Sequence, residues 1–250
     1  MSRWRYRFVT DTRRAVRLFK GLPLGTRLHL ALRWWSCPID AVAHEVPTHG
    51  DILEIGCGHG LVALHLATQS PHRRVLGVDI DDHKITVARR AAQQLRTHPA
   101  NAIFDVIAAG AVPDGTWDAV VIVDVLYLLS APDQHRLLQH ASAALRPDGV
   151  LVIKEMGLTP RWKFRWNLIQ ETLATRALRI TRTEQPRLTF TAPRDLAQWL
   201  AETELCVTTA RVDRFYPWPH QLVVGRNFRS AARTQDADIP ADRGLARPSS

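Results

Sequence analysis

The sequence predicts an α/β protein, doubly wound around a mostly parallel sheet. Two observations carry this. Short apolar runs of strand length alternate with stretches of helical spacing over about 100 residues, from residue 50 onwards. The first strand also ends in a loop of almost no side chains, "GCGHG" at 56–60, directly before a helix. Strand–helix alternation of this kind builds βαβ units with right-handed crossovers.

Residues 11–35 read as one or two helices, interrupted by "GLPLG" at 21–25, and a short helical stretch runs to Val46. "DILEIG" is the first strand and "LVALHLATQ" the helix that follows it. "RVLGVDI" is the second strand, and "DHKITVARRAAQQL" is a helix capped by Asp81 or Asp82. "AIFDVIA" is the third strand. "WDAVVIVDVLYLL", almost wholly apolar, reads as a fourth strand buried on both faces. "APDQHRLLQHASAAL" is a helix with Pro132 in its first turn, and "RPDG" leads into the strand "VLVIKEM". After Glu155 the rhythm breaks into a basic, tryptophan-bearing helical insertion over 158–187. The helix "PRDLAQWLAETEL" and two closing strands, "CVTTARVD" and "HQLVVGRNF", complete the domain. Residues 1–49 form an amino-terminal basic helical segment, 50–228 the main domain, and 229–250 a tail too poor in large apolar groups to pack.

Composition narrows the classes. The 250 residues, 46% hydrophobic and 23% charged, support one core. Cys37, Cys57 and Cys206 lack any paired spacing, so neither a disulfide framework nor a zinc site is expected, which favours a reducing, cytoplasmic setting. The stretch "MSRWRYRFVTDTRRAVR" has no uninterrupted apolar core, so no secretory leader is expected. The net charge is +9, and it is concentrated: residues 3–33 carry nine Arg/Lys against one acid, and 161–187 carry seven against two. Peripheral contact with the inner membrane face is one consequence.

The loop decides the ligand class. Counted from Gly56, a dinucleotide fingerprint would place its third glycine at Leu61, but Gly60 comes one residue early. No Lys-Ser/Thr ending marks a phosphate loop, and Glu54 would repel a phosphate. A ligand with a positive centre suits that acid better. Asp79, at the end of the second strand, can accept from both hydroxyls of a ribose.

With "LEIGCGHG", "VLGVDID", "WDAVVIVDVLYLL" and "ALRPDGVLVIKE" in this order, residues 50–156 resemble class I S-adenosylmethionine-dependent methyltransferases, of the small-molecule or lipid type. The resemblance implies a seven-stranded sheet with an antiparallel last strand. It implies S-adenosyl-L-methionine as cofactor, with Glu54, Gly56, Cys57, Gly58 and Gly60 bordering the methionine moiety. Asp79 would hold the ribose, Ile80 would pack on the adenine, and Asp124 would line the pocket. The family's acid after the third strand is missing, since Asp105 lies within that strand.

For catalysis, the strand ends offer Asp124, Tyr127, Lys154 and Glu155, and the turn between the closing strands offers Tyr216, Trp218 and His220. Glu155 and His220 are the candidate catalytic residues. Trp162 and Trp166 share a helical face that could line an acceptor pocket, meet lipid or pack on the sheet. The acceptor reads as a hydrophobic, lipid- or polyketide-like small molecule, methylated at oxygen. RNA methylation is the alternative, although the fourth strand lacks an Asn/Asp-Pro-Pro-aromatic signature and nucleic acid is not the expected partner. A cofactor-binding scaffold without catalysis is the third reading.

Overall fold

The structure is a computed structural model describing residues 17–95, 101–157, 188–214, 216 and 218–228. The insertion at 158–187 with its two tryptophans, the tail at 229–250 and residues 1–16 lie outside the described residues. In chain order the elements are α1 (Leu24–Ser36), α2 (Ile39–Glu45), β1 (Gly50–Ile55), α3 (Leu61–Gln69), β2 (Arg73–Asp79), α4 (Asp82–Ala92) and β3 (Ala102–Val106). Then follow β4 (Trp117–Val123), a 3-10 turn (Leu126–Leu128), α5 (Ala131–Ala143), β5 (Leu145–Met156), α6 (Pro193–Ala201), β6 (Cys206–Arg211) and β7 (His220–Arg226).

One sheet of seven strands runs in the order β3-β2-β1-β4-β5-β7-β6. β1 pairs in parallel with β2 and β4, and β5 in parallel with β4, whereas β7 is antiparallel to both β5 and β6. The seven strands and the antiparallel last strand are as the resemblance implied. The chain starts in the middle, winds out to β3, then returns beside β1 and winds the other way. That reversal between β1 and β4 is the place where an open sheet leaves a crevice at its carboxyl edge.

The pleat sends alternate side chains to two cores. Ile52, Val75, Val121, Val152 and Leu222 face α1 to α4, packing with Leu30, Val42, Leu64 and Ile85. Leu53, Ile122, Leu151, Ile153 and Val223 face α5 and α6, packing with Leu137, Leu138, Leu196 and Leu200. Phe19, Leu30 and Ile39 sit in the same core as the strands, so the amino-terminal helices close one face of the sheet. No helix among the described residues is long and apolar enough to cross a membrane.

Several boundaries differ from the pattern in the sequence: the fifth strand already begins at Leu145, ahead of "RPDG", and two others bear on the site. The fourth strand stops at Val123 instead of continuing to Leu129. Asp124 takes φ 55°, and the carboxylate of Glu155 accepts the amide protons of Val125 (3.0 Å) and Leu126 (2.8 Å), which the ladder would otherwise use. A continuous apolar run cannot reveal this, because a buried strand and a buried turn share one hydropathy. Gly25 lies inside α1, which begins straight after Pro23.

A buried cation staples α2, α3 and β2 together. The Arg73 guanidinium donates to the carbonyls of Ala43, Val46 and Pro47, just past or within the last turn of α2. It also donates to the carbonyl of Leu66 and to Gln69 Oε1 at the end of α3. Both helix ends present unpaired carbonyls and the negative end of the helix dipole, so a positive charge there satisfies orphans and dipoles together. Its neighbour Arg74 is exposed and pairs with Asp51 at the surface. Arg73→Met is expected to lower the unfolding free energy by about 2–4 kcal/mol, because several buried carbonyls lose their donor. Arg74→Ala is expected to change it far less, because an exposed ion pair contributes little. Urea denaturation of the two variants measures the contrast.

Candidate functional site

The carboxyl edge at the β1–β4 reversal collects most of the residues singled out above. An added Cβ on Gly56, at φ 73°, would stand 2.3 Å from Val125 Cγ2. The loops after β1 and β4 can therefore meet only if this position has no side chain. Gly58 is the opposite case: its φ is 54° and nothing lies within 4 Å of an added Cβ. Its freedom is used to turn the chain, and its open side leaves bare backbone beside free space. Gly60 abuts Phe104 and Ala88 at the start of α3.

Asp79 holds this loop in shape. One carboxylate oxygen accepts from the Gly58 amide (2.8 Å), the other from the Asp81 amide (3.0 Å). Each oxygen keeps lone-pair capacity for a further donor. Ile80 is 63% exposed beside it, an apolar surface with no protein cover. Cys57 is packed beneath the loop with its Sγ 3.8 Å from the Gly58 carbonyl. Burial, with Glu54 and Asp79 nearby, pushes its thiol far up, so it stays protonated and unreactive.

Glu54 is buried at the end of β1, and its Oε2 has no hydrogen-bond partner. Burial raises its pKa to about 8, opposed by the backbone hydrogen bond from Ala63 and by the charge of Arg33. A buried carboxyl with one free oxygen, under an open glycine loop, is an orphan of the kind that marks a ligand site. Asp105 is on the surface of β3 and pairs with Arg89.

Asp124 is differently occupied. Lys154 Nζ reaches both its oxygens, at 2.6 and 2.8 Å, and Arg33 Nη2 approaches at 3.3 Å. Cys37 Sγ lies 4.0 Å from Asp124 Oδ2. Burial works against the charged form, but the charges of Lys154 and Arg33 prevail and hold the Asp124 carboxyl below its ordinary range. Lys154, 1% exposed, and Arg33, reaching in from α1, give it two cations.

The two catalytic candidates stand apart. His220 pairs in register with Met156, so its side chain shares the face of Lys154, whereas Glu155 points to the opposite face. His220 Nε2 lies 2.7 Å from the Ser36 carbonyl, which can only accept, so Nε2 carries the proton. Its Nδ1 is then a bare lone pair, buried and without a partner. Burial first, then the charge of Lys154, pushes its pKa down to about 3, and the ring is neutral. Glu155 lines a small cavity with Leu126, Tyr127, Met156 and Phe190. Burial and the Asp124 carboxylate push its pKa up.

The sequence reading passed over Arg33 and Gln134. Leu30, Arg33, Trp34 and Cys37 recur at i, i+3, i+4 and i+7, an inward stripe containing one charge, and that signal was readable. Gln134, fully buried on α5, donates to the carbonyls of Leu129 and Thr189 and accepts from Thr191. It thereby seats Phe190 on Tyr127, rings stacked 5.5 Å apart. Nothing local marks this pairing, because its partners are separated by the insertion.

A family model for a methyltransferase domain matches residues 30–210. A ubiquinone biosynthesis O-methyltransferase of Xylella fastidiosa is 27% identical over 194 residues, 72% of this chain and 71% of that protein. A demethylmenaquinone methyltransferase of Thermus thermophilus is 30% identical over 137 residues, 53% of this chain. The chain spans 58% of that relative's length. Among solved structures, magnesium protoporphyrin IX methyltransferase of Synechocystis PCC 6803 with bound SAH superposes with a TM-score of 0.59 at 17% identity, covering 87% of this chain and 93% of that one.

The raised carboxyls make stability depend on pH. Glu54 titrates near 8 in the folded protein against 4.5 ordinarily, so between those values the folded state holds a proton that the unfolded state releases. Below about pH 6.5 the depressed His220 and His59 work in the opposite sense, so stability should fall as pH rises from about 6.5 to about 8, by an amount on the order of 2 kcal/mol from Glu54. Calorimetric melting across that range is expected to show the decline, and Glu54→Gln is expected to make it shallower, the part set by Glu155 remaining.

Proposed function

Because the chain belongs to the methyltransferase-domain family, we propose that it carries the methyl group of S-adenosyl-L-methionine to a hydrophobic small molecule, at oxygen. The observation that carries this reading is the open side of Gly58, framed by Asp79 and by the unpartnered oxygen of Glu54. These residues fit the cofactor. A bare backbone edge admits a ligand, a carboxylate with spare lone pairs suits a ribose diol, and a free buried carboxyl oxygen suits a neighbouring positive charge.

In this assignment Asp79 orients the ribose while keeping the Gly58 amide in place, and Ile80 covers one side of the adenine. Glu54, with Gly56, Cys57, Gly58 and Gly60, borders the methionine moiety. Asp124 lines the pocket from the β4 end, with its charge held by Lys154 and Arg33. When bound, the cofactor supplies an electrophilic methyl group on a sulfonium sulfur. The protein's task is to bring the acceptor oxygen into line and to exclude water.

A hydroxyl acceptor also has a proton to lose. Glu155 is the first candidate to take it, because its raised pKa lies closer to working pH and it stands beside the Tyr127–Phe190 stack. His220, neutral with a free Nδ1, is the second. The names of the quinone-pathway relatives support an apolar, lipid-soluble acceptor, and such a molecule would come from a membrane.

Two measurements test the reading. Titration with S-adenosylhomocysteine is expected to show binding, and Asp79→Ala to weaken it by roughly 1.5–3 kcal/mol. Tritium from labelled donor is expected to enter the lipid fraction of an extract of the source organism. Binding with no transfer to any fraction would assign the protein as a scaffold, and label in RNA would assign it to nucleic acid. With an acceptor in hand, Glu155→Gln is expected to lower kcat by about 100-fold or more while affinity for S-adenosylhomocysteine stays unchanged. Retained kcat there, with loss in His220→Gln, would move the base to His220.

A further inference from the structure

The helix α1 is apolar on two faces, and the described residues use only one. Its inner face, Leu30 with Arg33 and Trp34, packs toward the sheet. On the other side Leu24, Leu28, Leu32 and Trp35 are 77%, 60%, 55% and 63% exposed. Their spacing of four, four and three residues places them in one stripe along the helix. A soluble surface rarely keeps four large apolar side chains in line without a reason. Trp218 extends the patch, its ring edge-on to Trp35 at 5.9 Å.

The surroundings of the stripe are basic. Arg27 flanks it on the helix, and the exposed Arg17 and Lys20 precede it. In the sequence, residues 3–33 hold nine Arg/Lys against Asp11 alone. A short helix with leucines and a tryptophan on one side and cations beside them has the composition of a segment that lies in the plane of a bilayer. Charge argues against a second copy as the occupant, since the chain carries a net +9 and would set like charges together. An anionic lipid surface satisfies both the apolar stripe and the cations.

We propose that the Leu24–Leu28–Leu32–Trp35 face of α1 is a docking surface for anionic membranes, held by these apolar side chains and the flanking cations. The same helix borders the candidate site. Its His29 ring lies 5.9 Å from that of His59 in the glycine loop, its Arg33 grips Asp124, and its Ser36 carbonyl receives His220. Docking would thus place the mouth of the site against the phase in which an apolar acceptor dissolves. That delivery role rests on the function proposed above, whereas the docking itself does not.

Co-sedimentation of the full chain with lipid vesicles tests it without any acceptor. Binding is expected to phosphatidylcholine vesicles containing about 30% phosphatidylglycerol, weakened about tenfold or more in pure phosphatidylcholine and in high salt. The double variant Leu28→Asp/Leu32→Asp is expected to lose at least about tenfold of the anionic binding, with melting temperature and S-adenosylhomocysteine affinity unchanged. Trp35→Ser, measured the same way, gives a second reading should the double variant fold poorly, and is expected to weaken the binding too. No binding to anionic vesicles, or binding indifferent to both variants, would overturn the proposal. So would a dimer in light scattering that Leu28→Asp/Leu32→Asp dissolves, because the stripe would then be an interface between copies. Vesicle binding with no affinity for S-adenosylhomocysteine would keep this inference and remove the enzymatic one.

Discussion

The carboxylate of Asp124 is where the molecule is tied together. It stands just past the end of β4, takes the ammonium of Lys154 from β5, and receives the guanidinium of Arg33 from α1. Without it, two cations would stand close together under a helix, one of them almost wholly excluded from water. Removing one member of such a buried set costs on the order of 3–5 kcal/mol, because its partners stay behind uncompensated. The cost is balanced by position. Arg33 fixes α1 across the sheet edge, and with it the Ser36 carbonyl that sets the tautomer of His220.

Around that anchor the two halves of the winding divide the labour. The β1–β2 side holds the glycine loop, Asp79 and Glu54, and its shape is set by backbone: amides bound to a carboxylate, and glycines placed where a Cβ would collide or intrude. The β4–β5–β7 side is set by side chains, and the pleat separates them into two compartments. Lys154 and His220 share one with α1, whereas Glu155 faces the other with Tyr127, Phe190 and Gln134.

Most of the architecture was readable from residues 50–156, since period and punctuation there agree. "DILEIG", "RVLGVDI" and "VLVIKEM" became strands, and the glycine loop fell at the sheet's reversal. The fourth strand was read too long because hydropathy does not register which acceptor captures an amide. Glu155, thirty residues after Val125, ends that strand through two hydrogen bonds. Asp79 was read as a ribose ligand, and its grip on Gly58 was not visible, because a loop's internal bonds leave no periodic trace. Arg33 and Gln134 act over long sequence separations, and only a three-dimensional register brings their partners together.

The place of β7 has a consequence for the order of assembly. It is the last strand among the described residues, yet it lies between β5 and β6, so β6 has no neighbour in the sheet until β7 arrives. During synthesis β6 is made before the strand it pairs with, so that edge of the sheet cannot form until β7 has been added. His220 opens that final strand. The histidine-bearing wall of the crevice is thus made after the glycine-loop half, whose strands all precede it in the chain.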